Sequence, residues 1–243
     1  MMDIKSKLLD EILNCPDVEW IPIQDLVKDK FWIMPATPDF CEEGVPYITS
    51  KNIKGGNIYF EKIKFISHED YINLTRNRPI QVDDILISMI GTIGEVARVK
   101  SSDLEFYGQN MYLLRLNKKM ISSDYFLHFF DSPTMKNHFN YTKNNSGQGY
   151  LKANQIDQIL IPIPPLPIQQ KIVDILDTFT TLTAELTAEL TARKQQYEYY
   201  RDELLTFGDD VEWKPLGSIG TVIRGNGLQK KNFLDEGFPA IHY

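Results

Sequence analysis

Four short stretches of the sequence concentrate side chains that can hydrogen bond to a polar ligand. Each stretch follows an apolar run or contains turn residues, so we expect its side chains to be exposed. Arg, Lys, Asn, Gln, Ser and Thr are the types that contact base edges, and Lys and Arg contact phosphates. A solvated loop has the same composition, so residue type leaves both interpretations open. The candidates are Ser50, Lys51, Asn52 and Lys54; Arg76 and Arg78; Ser88, Thr92, Gln109 and Asn110; and Lys143, Asn144, Asn145, Gln148, Tyr150 and Lys152.

Motifs for catalysis and metal binding are missing from the sequence. No Walker A motif occurs, and Gly91–Gly94 lacks the rest of a dinucleotide-binding fingerprint. The histidines, at His68, His128, His138 and His242, do not have the spacing of a metal site. The Asn-Pro-Pro-aromatic motif of amino-methyltransferases is also absent. The sequence therefore predicts neither catalytic residues nor metal ligands.

The composition restricts how the chain could bind nucleic acid. It has 243 residues and a formal net charge of −7, which argues against a binder that is basic over its whole surface. Any DNA contact must therefore depend on local basic patches. No apolar run approaches the roughly 18 residues of a membrane span. Cys15 and Cys41 form neither a disulfide framework nor a zinc motif, so we expect a reducing, cytoplasmic setting.

A sequence repeat divides the chain unevenly. Residues 17–22 read DVEWIP and residues 210–215 read DVEWKP, an offset of 210 − 17 = 193 positions. The same offset, without a gap, aligns Phe40 with Phe233. We therefore expect one complete unit followed by the beginning of a second copy. Residues 210–243 are too few to bury a core of their own.

The apolar pattern predicts an α+β fold, with a β-rich domain followed by a long, coiled-coil-forming α-helix. β-Branched runs separated by turn residues predict strands at 45–49, 62–66, 84–90, 94–99 and 111–116. Beyond them we expect a helix at 122–141, capped by Ser122 or Ser123, and an extended proline linker at 161–167. A helix free of Gly and Pro is predicted at 168–207.

The apolar positions of the long helix are spaced by threes and fours, as in a coiled coil. A single extra four-residue step falls where the word TAEL is repeated, at 183–190. A helix of this length extends about 60 Å, longer than a domain of this size is wide. We therefore expect it to pack against another long helix, with packing on its own domain as the alternative. The seam positions are Ile172, Ile175, Phe179, Leu182, Leu186, Leu190, Tyr197, Tyr200 and Leu204.

The repeated word suggests an adjustable spacer. Four residues lengthen a helix by about 6 Å and turn its end by about 40°. One base pair advances DNA by about 3.4 Å and rotates it by about 34–36°. A helix adjustable in TAEL units would reset the distance between two DNA-reading domains while nearly keeping their angular phase.

The order of these segments resembles the specificity subunit of type I restriction–modification systems. The resemblance is carried by LKANQIDQILIPIPPLPIQQKIVDIL at 151–176, QQYEYYRDELLTF at 195–207 and the restart VEWKPLGSIG at 211–220. In that family two target-recognition domains alternate with two helical spacers. The resemblance implies a first target-recognition domain at 1–165 with a short N-terminal helix at 3–14, a conserved helical spacer at 166–208, and an incomplete second recognition domain at 209–243.

The resemblance also implies a non-catalytic subunit that reads one half of a bipartite, interrupted target on double-stranded DNA. The long helix would dock methylation subunits, and restriction subunits would join the complex. S-adenosylmethionine, ATP and Mg would bind to those partners, and no cofactor to this chain. A truncated product, a recombination cassette and a half-subunit that forms a homodimer through the helix all remain open. A coiled-coil scaffold without DNA binding and a cryptic DNA-modifying enzyme are the competing interpretations.

Overall fold

The structure is a computed structural model that describes residues 15–16, 18–91, 93–143, 150–221 and 223. The predicted helix at 3–14 and the candidates Thr92, Asn144, Asn145 and Gln148 lie outside these residues, as does the side chain of Lys143. The chain divides into two compact units, residues 1–184 and residues 185–243.

Short strands in the first unit form four small sheets within the described residues. They are β1 (Glu19–Pro22), β2 (Val27–Ile33), β3 (Val45–Ile48), β4 (Ile53–Lys54), β5 (Asn57–Ile58), β6 (Lys64–Ile66), β7 (Ile85–Ser88), β8 (Val96–Arg98), β9 (Tyr107–Gly108), β10 (Met111–Leu116) and β11 (Leu160–Ile163). The strand orders are β2-β10-β7-β8, β6-β3-β9, β1-β11 and β4-β5. All strand pairs are antiparallel except β3 with β9, which is parallel. Each of the five predicted strands is confirmed.

The four-stranded sheet is buried on both faces. Along β10, Tyr112, Leu114 and Leu116 belong to one hydrophobic cluster, whereas Met111 and Leu113 belong to another. Because successive side chains of a strand point to opposite faces, the two clusters cover the two sides of the sheet. This double burial explains why the strand is almost continuously apolar in sequence.

Helices cover the sheet and extend the chain beyond it. They are α1 (His68–Thr75), α2 (Ser123–Phe130), α3 (Pro133–Lys143), α4 (Ala153–Asp157), α5 (Leu166–Leu205) and α6 (Leu216–Ile219). The single helix expected at 122–141 is therefore two helices. Ser122 caps α2 as predicted, since its hydroxyl oxygen accepts a hydrogen bond from the Tyr125 N–H at 3.0 Å. The break precedes Pro133, which lacks an N–H and favours the start of a helix.

The proline-rich segment at 161–167 is extended at its start, as predicted, but it pairs as a strand instead of linking two elements. Its first residues belong to β11, which pairs with β1 so that Glu19 lies opposite Ile163. Ile161 is fully buried. α5 then begins at Leu166, which places Pro167 in the first helical turn, where proline is tolerated. The pairing was not predicted, because the partner strand is far away in sequence and leaves no local signal.

The long helix is confirmed as one continuous element. α5 has 40 residues, with bounds two residues earlier at each end than the predicted 168–207. Its first turns are partly buried against the first unit, where Gln169 and Val173 are almost inaccessible. From Leu176 to Leu205 every residue is exposed in this chain.

Pro215 in the second copy of the repeated segment has the same backbone conformation as Pro22 in the first. Pro22 precedes a short 3₁₀ turn with φ −66° and ψ 145°, and Pro215 precedes α6 with φ −65° and ψ 142°. In the first copy Ile23 is fully buried, whereas its counterpart Leu216 is 83% exposed. The two prolines therefore share the conformation that proline favours before a helical turn, whereas the burial of the next residue depends on the rest of a domain.

Candidate nucleic-acid interface

The first polar stretch folds into a 3₁₀ turn that directly follows β3. Asn52 stabilises this turn, because its Oδ1 accepts a hydrogen bond from the Thr49 N–H at 3.0 Å and its Nδ2 donates to the Tyr59 carbonyl at 2.9 Å. Ser50 is buried. Lys51 and Lys54 are exposed and are therefore the side chains that this stretch presents to solvent.

The third stretch lies at the neighbouring ends of β7 and β9. Ser88 is fully buried, and its hydroxyl oxygen accepts a hydrogen bond from the Glu95 N–H at 2.9 Å. Gln109 is half-buried, and its Oε1 accepts a weak hydrogen bond from the Tyr47 hydroxyl at 3.5 Å. Asn110 has a φ of 65°, a left-handed conformation that asparagine tolerates well. Three of the four candidates thus contribute to the turns themselves.

Backbone contacts bring the first, third and fourth stretches together. The Gln109 N–H donates to the Ile48 carbonyl at 3.1 Å, which joins the third stretch to the first. This approach needs Gly108, because a Cβ there would lie 2.5 Å from the Ile48 oxygen. Ile90 forms a β-bridge with Tyr150, which joins the third stretch to the fourth. We call residues 49–54, 88–91, 109–110 and 150–152 the loop cluster.

The loop cluster presents basic and aromatic side chains to solvent. Lys51, Lys54 and Lys152 are exposed, and none of them forms an ion pair with another described residue. Tyr150 is 40% exposed beside them. Unpaired lysines can neutralise phosphates, and an exposed tyrosine can stack or hydrogen bond, so the cluster has the side chains that a nucleic-acid surface needs.

The second stretch follows the C-terminal end of α1 and borders a cavity of about 270 Å³. Arg78 lies over the Phe31 ring, with 5.6 Å between its Cζ and the ring centroid, and its Nη1 donates to the Trp32 carbonyl at 3.3 Å. The Arg76 Nη2 donates to the Asn73 Oδ1 at 3.0 Å. Both arginines are exposed, so each guanidinium keeps donors for a further partner.

The cavity beside Arg78 has lining residues that the sequence did not single out. Its wall combines aromatic rings with amide groups, and burial raises the pKa of the Tyr107 hydroxyl while the nearby Arg78 guanidinium opposes that shift. Asn73 lies on α1 and Asn77 lies just beyond its C-terminal end, so no regular spacing in the sequence marks this wall. The lining includes Trp32, Met34, Asn73, Asn77, Arg78 and Tyr107.

The seam of α5 divides into a covered base and an open remainder. Ile172 packs against the core of the first unit, and Ile175 is half-buried. Phe179 is 63% exposed and Leu186 is 65% exposed. The other seam positions are also exposed: Leu182, Leu190, Tyr197, Tyr200 and Leu204.

The sequence model of the family described as "Type I restriction modification DNA specificity domain" matches residues 17–193. The chain belongs to this family. The match covers the strands of the first unit, the loop cluster and more than half of α5, so the specificity domain and the base of the long helix form one homologous region.

Relatives of this specificity domain are longer than the chain. The EcoprrI specificity subunit of Escherichia coli is 30% identical over an alignment that covers 93% of the chain and 60% of the relative. The EcoR124I/EcoR124II specificity subunit of the same species is 55% identical over 84 residues, 32% of the chain and 20% of the relative. A specificity subunit from Haemophilus influenzae is 27% identical, covering 88% of the chain and 53% of its own length. The chain spans about half the length of the relatives that it matches most fully.

Solved structures share the fold of the specificity domain. One chain from a structure of the type I R-M system has a TM-score of 0.57 and 13% identity, covering 84% of this chain and 52% of its own length. The HsdS subunit from Thermoanaerobacter tengcongensis has a TM-score of 0.50 and 16% identity, and the match covers 77% of this chain and 46% of that subunit. The predicted α+β architecture with a long helix is therefore confirmed.

The described residues contain neither a cluster of metal-ligating side chains nor a membrane-spanning helix. No group of three or more His, Cys, Asp or Glu side chains in these parts of the chain could hold a metal ion. Over the same residues, no helix has both the length and the apolar character needed to cross a membrane.

Proposed function

We propose that the chain is the sequence-recognition component of a type I restriction–modification complex and reads one half of a bipartite, interrupted DNA target. The observation that carries the proposal is the loop cluster, in which unpaired lysines and an exposed tyrosine are presented by one edge of a specificity domain. A local basic surface of this kind can bind phosphates although the chain has a net charge of −7.

Within this proposal the candidate residues take different roles. Lys51, Lys54 and Lys152 contact phosphates, as do Arg76 and Arg78 of the second stretch. Side-chain amides suit base edges, so Gln109 and Asn110 are proposed near the bases, and Tyr150 is proposed to stack or hydrogen bond beside them. The same role is proposed for candidates whose side chains lie outside the described residues: Thr92, Lys143, Asn144, Asn145 and Gln148. Ser50, Asn52 and Ser88 are not proposed as contacts, because the fold buries them or uses their polar atoms.

The exposed seam of α5 is proposed as the docking surface for methylation subunits, through which restriction subunits join the complex. An apolar stripe of this length in water is best explained by a partner that covers it. A homodimer through α5 is the alternative assembly, and it would read a palindromic site. The chain itself is proposed to be non-catalytic, with S-adenosylmethionine, ATP and Mg bound by the partners.

The test is a footprint on duplex DNA with reconstituted methylation subunits. The complex should protect an interrupted sequence, and lowering the salt concentration should strengthen binding. A matched variant, Lys51→Ala with Lys54→Ala, should weaken binding, whereas Lys118→Ala, which removes a lysine paired with Asp83 elsewhere on the domain, should not. Protection of no defined sequence would refute DNA reading and leave a helix-mediated scaffold as the better description.

A further inference from the structure

The base of α5 is attached to its domain through one buried amide. Gln169 is fully buried, and its Oε1 accepts a hydrogen bond from the Ser122 N–H at 2.9 Å. Its Nε2 donates to the Met120 carbonyl at 2.9 Å and to the Pro164 carbonyl at 2.8 Å. Because unpaired polar groups are costly in the interior, an amide that meets three backbone groups strongly selects one orientation of the helix.

The next two turns of α5 continue the same face. Residues 169, 173 and 177 are four apart, so each is rotated by only about 40° from the one before. Val173 is buried in the same hydrophobic cluster as Phe126 of α2. The Asp177 Oδ1 lies 2.8 Å from the His128 Nε2, also on α2. Gln169 thus contacts the segment that leads into α2, Asp177 contacts α2 itself, and Val173 between them is buried in the core.

This face is distinct from the apolar seam. On a regular helix, the mean direction of positions 169, 173 and 177 lies about 140° from the mean direction of seam positions 172, 175, 179 and 182. One side of α5 is therefore committed to its own domain, and the opposite side is open from Phe179 onward. A contact made on the seam from Phe179 onward does not need to disturb the attachment.

A second attachment holds α2 to the strand that enters α5. The Tyr125 hydroxyl donates to the Pro162 carbonyl of β11 at 2.7 Å. Pro162 lies opposite Trp20 in the β1-β11 pair. The segment leading into α5 is therefore attached to α2 and to β1 by contacts of its own.

We propose that Gln169, Val173 and the Asp177–His128 pair form a positioning joint, which sets the direction of α5 relative to the domain that carries the loop cluster. In the complex, the joint limits which gaps between half-sites are accepted. The second statement rests on the proposed function, whereas the first concerns the chain alone. These side chains act by holding the helix and do not contact DNA.

The joint can be tested on the full chain without DNA. Gln169→Ala removes the buried amide, and Gln170→Ala is the matched control, since Gln170 is exposed and bonds only to Asp174 on the same helix. We expect deuterium exchange at the Ser122 amide and over residues 166–177 to be about 10- to 100-fold faster in Gln169→Ala and unchanged in Gln170→Ala.

The direction of α5 relative to its domain is measured by electron–electron distances between two spin labels. The labels are placed at the exposed positions Glu61 and Thr181, in a protein in which Cys15 and Cys41 are replaced by serine. Gln169→Ala should broaden the distance distribution, and a distribution as narrow as that of the parent overturns the joint. If Gln169→Ala loses its circular dichroism signal and is therefore unfolded, the same distance measurement is made on Asp177→Ala, with Asp174→Ala as its control. A broader distribution for Asp177→Ala supports the joint, and an unchanged one refutes it.

The functional consequence is measured in the reconstituted complex. Gln169→Ala should protect sites with half-site gaps that the parent rejects, while the half-sites stay the same. If the distance distribution broadens but the accepted gaps do not change, the joint does not control spacing. If the parent protects no defined sequence, the proposed function fails, and the distance measurement still decides whether the joint exists.

Discussion

Removing one of the two TAEL units tests whether α5 acts as a spacer. The deletion of residues 183–186 removes four residues from a part of the helix where every residue is exposed in this chain. No core contact is lost, so the deleted protein should unfold at nearly the same temperature as the parent. The residues on either side remain helical, because neither Gly nor Pro is brought in.

The expected change follows from helix geometry. Four residues contribute about 6 Å of length and about 40° of net rotation. The length corresponds to one or two base pairs of about 3.4 Å each, and the rotation is close to the 34–36° of a single base pair. The gap between half-sites should therefore shorten by one or two base pairs while both half-sites keep their sequence.

The assay is sequencing of methylated sites after reaction of the reconstituted complex with a DNA library. Insertion of a third TAEL unit is the matched variant, and it should lengthen the gap by the same step. An identical gap in the deletion, parent and insertion complexes would refute the spacer. A change in the half-sites themselves would show that the deletion disturbs recognition instead.

Three further predictions concern the surface, the seam and the buried tyrosines. Arg76→Ala or Arg78→Ala should weaken DNA binding on all sequences. It should also reduce the slope of the logarithm of the binding constant against the logarithm of the salt concentration by about one, the value of one phosphate contact. Fluorescence anisotropy at several salt concentrations measures this slope, and an unchanged slope contradicts a phosphate role. Leu186→Asp should split any complex that forms through the seam, and an unchanged mass by light scattering rules the seam out. Burial raises the pKa of Tyr47 and Tyr125 to about 12 from 10.0, so their contribution to stability is complete below pH 10 and is lost as the pH rises towards 12. The phenolate absorbance of these two tyrosines should therefore rise together with the loss of circular dichroism between pH 10 and 12. If all tyrosines titrate near pH 10 while the protein is folded, the prediction is wrong.

Strands with strong local patterns were predictable, and strands supported by distant partners were not. MYLLRL predicted β10 at its observed bounds, Met111–Leu116. β2, at Val27–Ile33, was missed because charged residues interrupt its apolar pattern. It pairs with β10 nevertheless, and Arg115 forms ion pairs with Asp29 of β2 at 3.3 Å and with buried Asp84 at 2.8 Å. Tertiary pairing therefore overrides a weak local preference.

The sequence indicated which residue types could form the candidate surface, but it did not indicate which of these side chains are exposed. Residue type selected Ser88 and Lys51 alike, yet the fold buries Ser88 within the sheet and leaves Lys51 in solvent. Gln169 was not selected, because a glutamine in a helix has no local feature that marks it as buried. Its role became visible only when its three backbone partners were placed around it.

The sequence alone determined the family, the repeat, the seam of α5 and the local conformation that Pro22 and Pro215 share, because each depends on residues close together in the chain or on a pattern that survives in linear order. Tertiary structure decided which polar stretches meet in the loop cluster, that the proline segment pairs as β11, and that Gln169 is buried. The physical reason is that burial and strand pairing sum contributions from distant segments, so neighbouring residues do not encode them.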